Sequence, residues 1–419
     1  MRFLMRISTL TGWLTLPLVL ALGLLTVATT PGFANTLSVP QDAPTIGEAM
    51  QKARSGDIIL ISCGTYHESD IPVKPGVTLW SGTLQPACVT IDARGQGPIF
   101  IFADADTSTA LVGLTLTGGQ AARGGAIQIR SGAPRLTSCV FTGNEATQGG
   151  AIEAQAGSRP VLKNCLFRGN NARQSGGAIL AAGVLDLQEC AFKDNSALMG
   201  GALHLEPGAR LLVAGCTFVD NAAGNTGGAI HGGSIHDDAI RFGQTRANIR
   251  HTLFAGNQGG LGGAAISLAG SRLQLASCTL VDQQADEGGA VLTIQGQAPT
   301  IINTIIAFNA VAILRTDGEV PTFRGCNLWG NRQGDWTDQL SPLANTESNI
   351  SCDPRFCAPE RGDYMLSSTS CCLPAHNPAG NKGLVGAWGV GCGASASVTE
   401  REGTGDSGFR AIRTPPHKP

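Results

Sequence analysis

Charge and aromatic rings are scarce in this chain of 419 residues: 14% are Asp, Glu, Lys or Arg, and 5% are Phe, Trp or Tyr. The formal net charge is −2 with no basic stripe, so the electrostatic footprint of a nucleic-acid binder is missing. Two tyrosines, Tyr66 and Tyr364, leave no platform for stacking bases. Helical periodicity is absent from the body of the chain, and past the N-terminus no apolar run is long enough to span a bilayer. What is abundant is glycine, 57 residues, within a chain that is 42% hydrophobic. That is too apolar for disorder and too rich in turn-formers for a helical bundle. The length would allow two or three domains, but the uniform composition points to one elongated body.

The N-terminus reads as an export signal. Arg2 and Arg6 precede an apolar run from Leu14 to Ala28, interrupted by Pro17, and Gly32-Phe33-Ala34 offers a small-x-small cleavage site. We expect residues 1–34 to be removed, no transmembrane segment in the mature chain, and a secreted, periplasmic or outer-surface location.

Two short signatures then alternate. Gly-Gly-Ala-aliphatic opens at Gly124, Gly149, Gly176, Gly200, Gly227, Gly262 and Gly288. Phe-x-x-Asn runs from Phe141/Asn144 to Phe254/Asn257 and persists in altered form to Leu328/Asn331, in steps of 26, 25, 26, 36, 26, 26 and 22 residues. A step near 25 is too short for a propeller blade and fits one rung of a β-solenoid. Aligned on that step, Cys139, Cys165, Cys190, Cys216, Thr252, Cys278, Thr304 and Cys326 form one column, and Phe141 to Leu328 form a second two residues later. Leu136, Leu162, Leu187, Val213, Ile249, Leu275, Ile301 and Phe323 form a third, three residues earlier. A step of two keeps side chains on one face, whereas a step of three slips the phase and demands a corner. The residue before the Cys/Thr column should therefore take a left-handed backbone; Asn164 or Gly215 suit this, Glu189 and His251 less so. The Asn column should be structural, each amide bonding to its neighbour and to turn backbone.

The expected fold is all-β: a right-handed, single-stranded parallel β-helix over residues 35–348, with a short N-terminal capping helix and a Cys-rich C-terminal cap. Thr45-Ile46-Gly47-Glu48 has a capping-box pattern, and Ile46, Ala49, Met50 and Ala53 form an apolar stripe, placing the N-terminal cap at about 44–57. It leads into the strand Ile58-Ile59-Leu60-Ile61. Residues 349–393 form the C-terminal cap, and 394–419, rich in Ser, Gly, Thr, Pro and charge, a disordered tail.

The paired Gly-Gly-Ala-Ile and Phe-x-x-Asn signatures resemble the repeats of polymorphic outer-membrane proteins, a family of bacterial surface β-helices. The segment from Pro44-Thr-Ile-Gly-Glu-Ala-Met through Gly56-Asp57 to Cys63-Gly-Thr-Tyr66 resembles the opening of bacterial pectin-lyase-like proteins. So do Asp353-Pro-Arg-Phe356 and Gly362-Asp-Tyr364 near the end. The resemblance spans about residues 36–393 and implies a β-helix; its superfamily mixes lyases, hydrolases and adhesins. We expect no counterpart of the C-terminal translocation barrel that the polymorphic outer-membrane proteins carry.

Thirteen cysteines leave at least one unpaired thiol. The six in the column read as buried free thiols, because stacked side chains point the same way. Cys63 and Cys88, one rung apart, suit a disulfide, and Cys352, Cys357, Cys371, Cys372 and Cys392 should staple the C-terminal cap. A zinc site among the latter, with His376, is the alternative; no metal site is assigned.

Chemistry has two candidate places. On the outer face, Gln128, Glu153, Leu180, His204 and His231 share a column in which Glu153, His204 and His231 would serve as binding residues or as an acid–base set; Leu180 favours a plain solvated face. The widest rung carries an insertion of about ten residues with His236, Asp237 and Asp238. Its adjacent carboxylates could bind calcium or serve a glycosidase. An Asp-Asp pair occurs in pectin-degrading hydrolases, but their Asn-Thr-Asp triplet is absent, and a charged surface turn is the plainer reading. No other cofactor is expected. The function expected is therefore non-catalytic adhesion or glycan binding by a monomer, the partner being a polysaccharide or cell-surface component. A lyase or hydrolase acting on an acidic polysaccharide is the alternative.

Overall fold

The computed structural model describes residues 34–233, 244–286, 289–317 and 320–393. The proposed leader up to Phe33, the C-terminal tail, and His236, Asp237 and Asp238 lie outside the described residues.

The chain winds into a parallel β-solenoid with three walls. Eleven strands, from Gly64–Tyr66 to Asn327–Trp329, stack as the first; seven, from Gln120–Arg123 to Gln284–Ala285, as the second. The third has 21 strands, because each rung contributes two segments, such as Ile152–Ala154 and Val161–Lys163. The two merge in the 14-residue strand Gly263–Ala276. Every rung pairs in parallel with the next in these walls, and the three expected inward columns are in register.

Physical reasons for the repeat are visible at each corner. The eight residues before the Cys/Thr column, Ser138, Asn164, Glu189, Gly215, His251, Ser277, Asn303 and Gly325, all take φ between 47° and 66°. The phase slip is thus realised as a left-handed corner, imposed even on Glu189 and His251. In the Gly-Gly pair, Gly149 has φ 64°, and a Cβ on Gly150 would overlap the carbonyl of Gly177 in the next rung. Only glycine permits both the turn and the close approach. The strand register, however, aligns Ile230 with Ile266 and Ile266 with Leu292. In that copy Gly263, not Gly262, therefore holds the first-glycine position, and in the next rung the register shifts so that Ala290 stands opposite Gly263.

Inside, Phe141, Phe167, Phe192, Phe218 and Phe254 form a continuous stack with ring centroids 4.5, 4.8, 4.8 and 5.0 Å apart. The column thiols are free and buried. Each donates to the carbonyl two residues before it, as Cys190 does to Gln188; Thr252 and Thr304 make the same bond with a hydroxyl. That shared bond explains why Cys and Thr interchange there. Burial pushes the Cys278 and Cys326 thiols up to about 12. The Asn column is fully buried: Asn144 Nδ2 donates to Asn170 Oδ1, Asn170 to Asn195, Asn195 to Asn221 and Asn221 to Asn257 (2.9–3.0 Å).

Helix Ile46–Lys52 covers the first rungs with Ile46, Ala49 and Met50 buried. Thr45 accepts from the Glu48 amide as expected. The Ile46 and Gly47 amides are taken by the carboxylate of Glu68, which the local motif did not indicate. Asp57 accepts from the amides of Asn35 and Arg54 and ties the cap to the first strand. At the far end Leu340, with Trp336 and Leu343, joins the main core past the last rung. The disulfide-bearing segment caps the C-terminal rungs from outside: Tyr364, Leu366, Leu373 and Val385 pack on outward-facing Leu253, Val281 and Ile305. Disulfides join Cys63 to Cys88, Cys352 to Cys371 and Cys357 to Cys392. Cys372, expected among the staples, is instead a buried thiol that accepts from Asn327. With five cysteines in the segment and two bonds made, it fills the cap core as a small apolar side chain.

Candidate binding surfaces

The outer column is in register from Gln128 through Glu153, Leu180, His204 and His231 to Ser267, Thr293 and Arg315. It is not a solvated face. Glu153 is 3% and His204 9% exposed, because the glycine turn before each strand lies against the column; a Cβ on Gly124 would contact Glu153. The arrangement separates the expected acid–base set. Glu153 pairs with Arg123 Nε at 2.6 Å, a partner the alignment did not single out, and Leu180 stands between Glu153 and His204. His204 and His231 do come together: their Nδ1 atoms are 3.0 Å apart and their ring centroids 4.9 Å. Burial lowers His204 to about 3, with the charge of His231 adding to the effect, and lowers His231 to about 4. Both are neutral imidazoles at physiological pH. Among the described residues no three His, Cys, Asp or Glu side chains gather as a metal cluster, so the zinc alternative at the C-terminal cysteines finds no support there.

A second surface was legible only in part. On the outer side of the third wall's second segment, a concavity of about 470 Å³ is lined by Asp186, Gln188, Glu189, Asn248, Arg250 and His251. Ala214 and Gly215 form its floor and Leu212, 43% exposed, adds apolar surface. It occurs here because two small residues occupy one rung between rungs bearing longer side chains. Its size is within the range of small-molecule sites. Beside it, Arg210, Arg246 and Arg272 are register partners on consecutive rungs, all exposed, roughly 4.8 Å apart as strands are. Arg272 Nε donates to Gln297. Among the described residues no carboxylate pairs with any of the three. Like charges directly opposed across adjacent strands are destabilising, so this ladder stands at a cost to the isolated fold. All three stand three residues before the Leu136–Phe323 column, so the same alignment contains them.

A family model described as right handed beta helix region matches residues 101–238. With the winding described above, the chain is a right-handed parallel β-helix repeat protein. No curated protein and no solved structure matches it.

Proposed function

We propose that this β-helix is exported to the cell surface or periplasm and there binds an acidic polysaccharide, as a monomer and without cleaving it. The observation that carries the reading is the exposed arginine ladder Arg210–Arg246–Arg272, without a carboxylate partner among the described residues, beside the polar concavity. Cations repeating at rung spacing suit a linear polymer with repeating anions, and the planar side chains of Gln188, Asn248 and Arg250 suit sugar hydroxyls and carboxylates. The pairing of Glu153 with Arg123 and of His204 with His231 supports binding over acid–base work on the neighbouring column. Export is supported by the leader-like N-terminus and by three disulfides, which persist in oxidising compartments. The repeat resemblance to polymorphic outer-membrane and pectin-lyase-like proteins agrees with this setting.

A lyase or hydrolase is the second reading, favoured by one feature: the concavity brings Asp186 and Glu189 to Arg250 and His251. Incubating the exported protein with uronate-rich, sulfated and neutral polysaccharides decides between them. Binding predicts salt-sensitive retention on acidic polymers, weakened about tenfold by Arg246→Ala, with no new reducing ends. New reducing ends or unsaturated uronate, lost on Asp186→Ala or Glu189→Gln, would establish the enzyme instead. Equal retention on neutral and acidic polymers would overturn the role given to the ladder.

A further inference from the structure

We propose that His204 and His231 together bind one divalent transition-metal ion of tetragonal preference, of the Cu²⁺ or Ni²⁺ class, through their Nδ1 atoms. The site lies on the first segment of the third wall, on different strands from the arginine ladder, and is independent of the polysaccharide reading.

The argument is geometric. The rings are within 15° of parallel, and the Nδ1–Nδ1 distance of 3.0 Å is far shorter than the 4.9 Å between centroids. Nearly parallel rings with such a short contact are offset and meet by their Nδ1 edges. Two nitrogens 3.0 Å apart, each about 2.1 Å from a common ion, subtend roughly 90° at it. That is the angle between neighbouring ligands in square-planar or octahedral geometry, and tighter than the tetrahedral angle zinc prefers in structural sites. Register fixes the pair: the strands Leu203–Leu205 and Ile230–Gly233 align His204 with His231, and Leu180 and Ser267 close the column on either side. His204 is 9% exposed and His231 half-buried, so the shared edge is sheltered yet reachable at His231.

Without metal, one Nδ1–H donates to the other Nδ1. For both nitrogens to ligate, that proton moves to the Nε2 of its own ring, so the neutral pair releases no proton on binding. Water would complete the coordination.

The test uses the exported protein, stripped with chelator and titrated with Cu²⁺ under electron paramagnetic resonance. The expected result is one ion per chain, with hyperfine coupling to two imidazole nitrogens. His231→Gln and His204→Gln should each weaken binding at least tenfold and leave coupling to one nitrogen. Because His204 is buried, far-UV circular dichroism must show that its variant is folded; His231→Gln, at the half-buried position, stands by itself if it does not. A variant with His236, Asp237 and Asp238 all changed to Ala should keep the two-nitrogen signal. Absence of nitrogen coupling in the unaltered protein, survival of the two-nitrogen coupling in His231→Gln, or its loss in the triple variant would overturn the proposal.

Discussion

Lowering the pH from 7 to 5 should destabilise this β-helix through two side chains. His204 and His231 are held at about 3 and about 4 in the folded chain, against 6.5 for an ordinary imidazole, chiefly by burial. Leu180 and Ser267 adjoin them in the column, and the carboxylate of Glu153, two rungs from His204, is engaged by Arg123. Among the described residues, therefore, no neighbouring anion in the column is left to favour the imidazolium. The sign follows from proton counts. Between about pH 6.5 and 4 the unfolded chain binds up to two more protons than the folded one, so stability is present above 6.5 and is lost as the pH falls. Each histidine contributes a slope of up to about 1.4 kcal/mol per pH unit, which integrates from pH 7 to 5 to about 2 kcal/mol each and about 4 for the pair. Ordinary carboxylates titrate mainly below that window. Urea denaturation followed by circular dichroism at pH 7, 6 and 5 measures the loss. The double variant His204→Gln/His231→Gln should retain most of its stability over the same range. If it loses as much as the unaltered chain, the burial argument is wrong.

Other perturbations probe the remaining features. Asn195→Ala removes a buried amide that donates to Phe167 O and Asn221 Oδ1 and accepts from Asn170, so it should lower the unfolding free energy by about 3 kcal/mol, read from denaturant melts. Ser277→Gly relieves a left-handed φ of 51° on a residue with a Cβ and should raise stability by about 1 kcal/mol, a gain that calorimetry would detect. Cys278→Thr should stay within about 1 kcal/mol of the unaltered protein, since Thr252 and Thr304 fill the same column, whereas Cys278→Leu should cost about 2 kcal/mol by overpacking; parallel thermal melts compare them. Arg246→Glu should weaken retention on acidic polymers more than Arg246→Ala, and 0.5 M salt should erase the difference.

Periodicity made the interior legible. A column that must face inward admits few residue types, so Phe141 to Leu328 and Leu136 to Phe323 could be aligned without coordinates, and the three-residue step between columns already required the corner seen at Ser138 and its equivalents. Where residues are locally degenerate the alignment slipped. Gly262 and Gly263 are chemically identical, and only hydrogen-bonded register distinguishes them. Alternation shows that Glu153 and His204 face outward, but not that the glycine turn beside them excludes water. The concavity depends on how Ala214 and Gly215 sit between longer side chains in neighbouring rungs, a three-dimensional contrast that no single column displays. Glu68 caps the helix from 21 residues away, beyond the reach of a local motif.

The asparagine ladder also gives the solenoid a direction. From Asn144 to Asn257 every side-chain amide gives one bond to the ladder residue of the next rung and one to a carbonyl of the rung before, while its oxygen faces the preceding rung; Gln283 turns its Nε2 back to Val281, and the polarity resumes from Asn309 through Asn331 to the carboxylate of Asp335. The aligned amide dipoles add, so each run has a positive end, and the second run places an anion at that end, as a helix does at its N-terminus. Rungs alike in shape are thus electrically inequivalent by position. A repeat inserted or removed midway would leave this polarity intact, whereas loss of Asp335 would leave the positive end of the second run without its counter-charge.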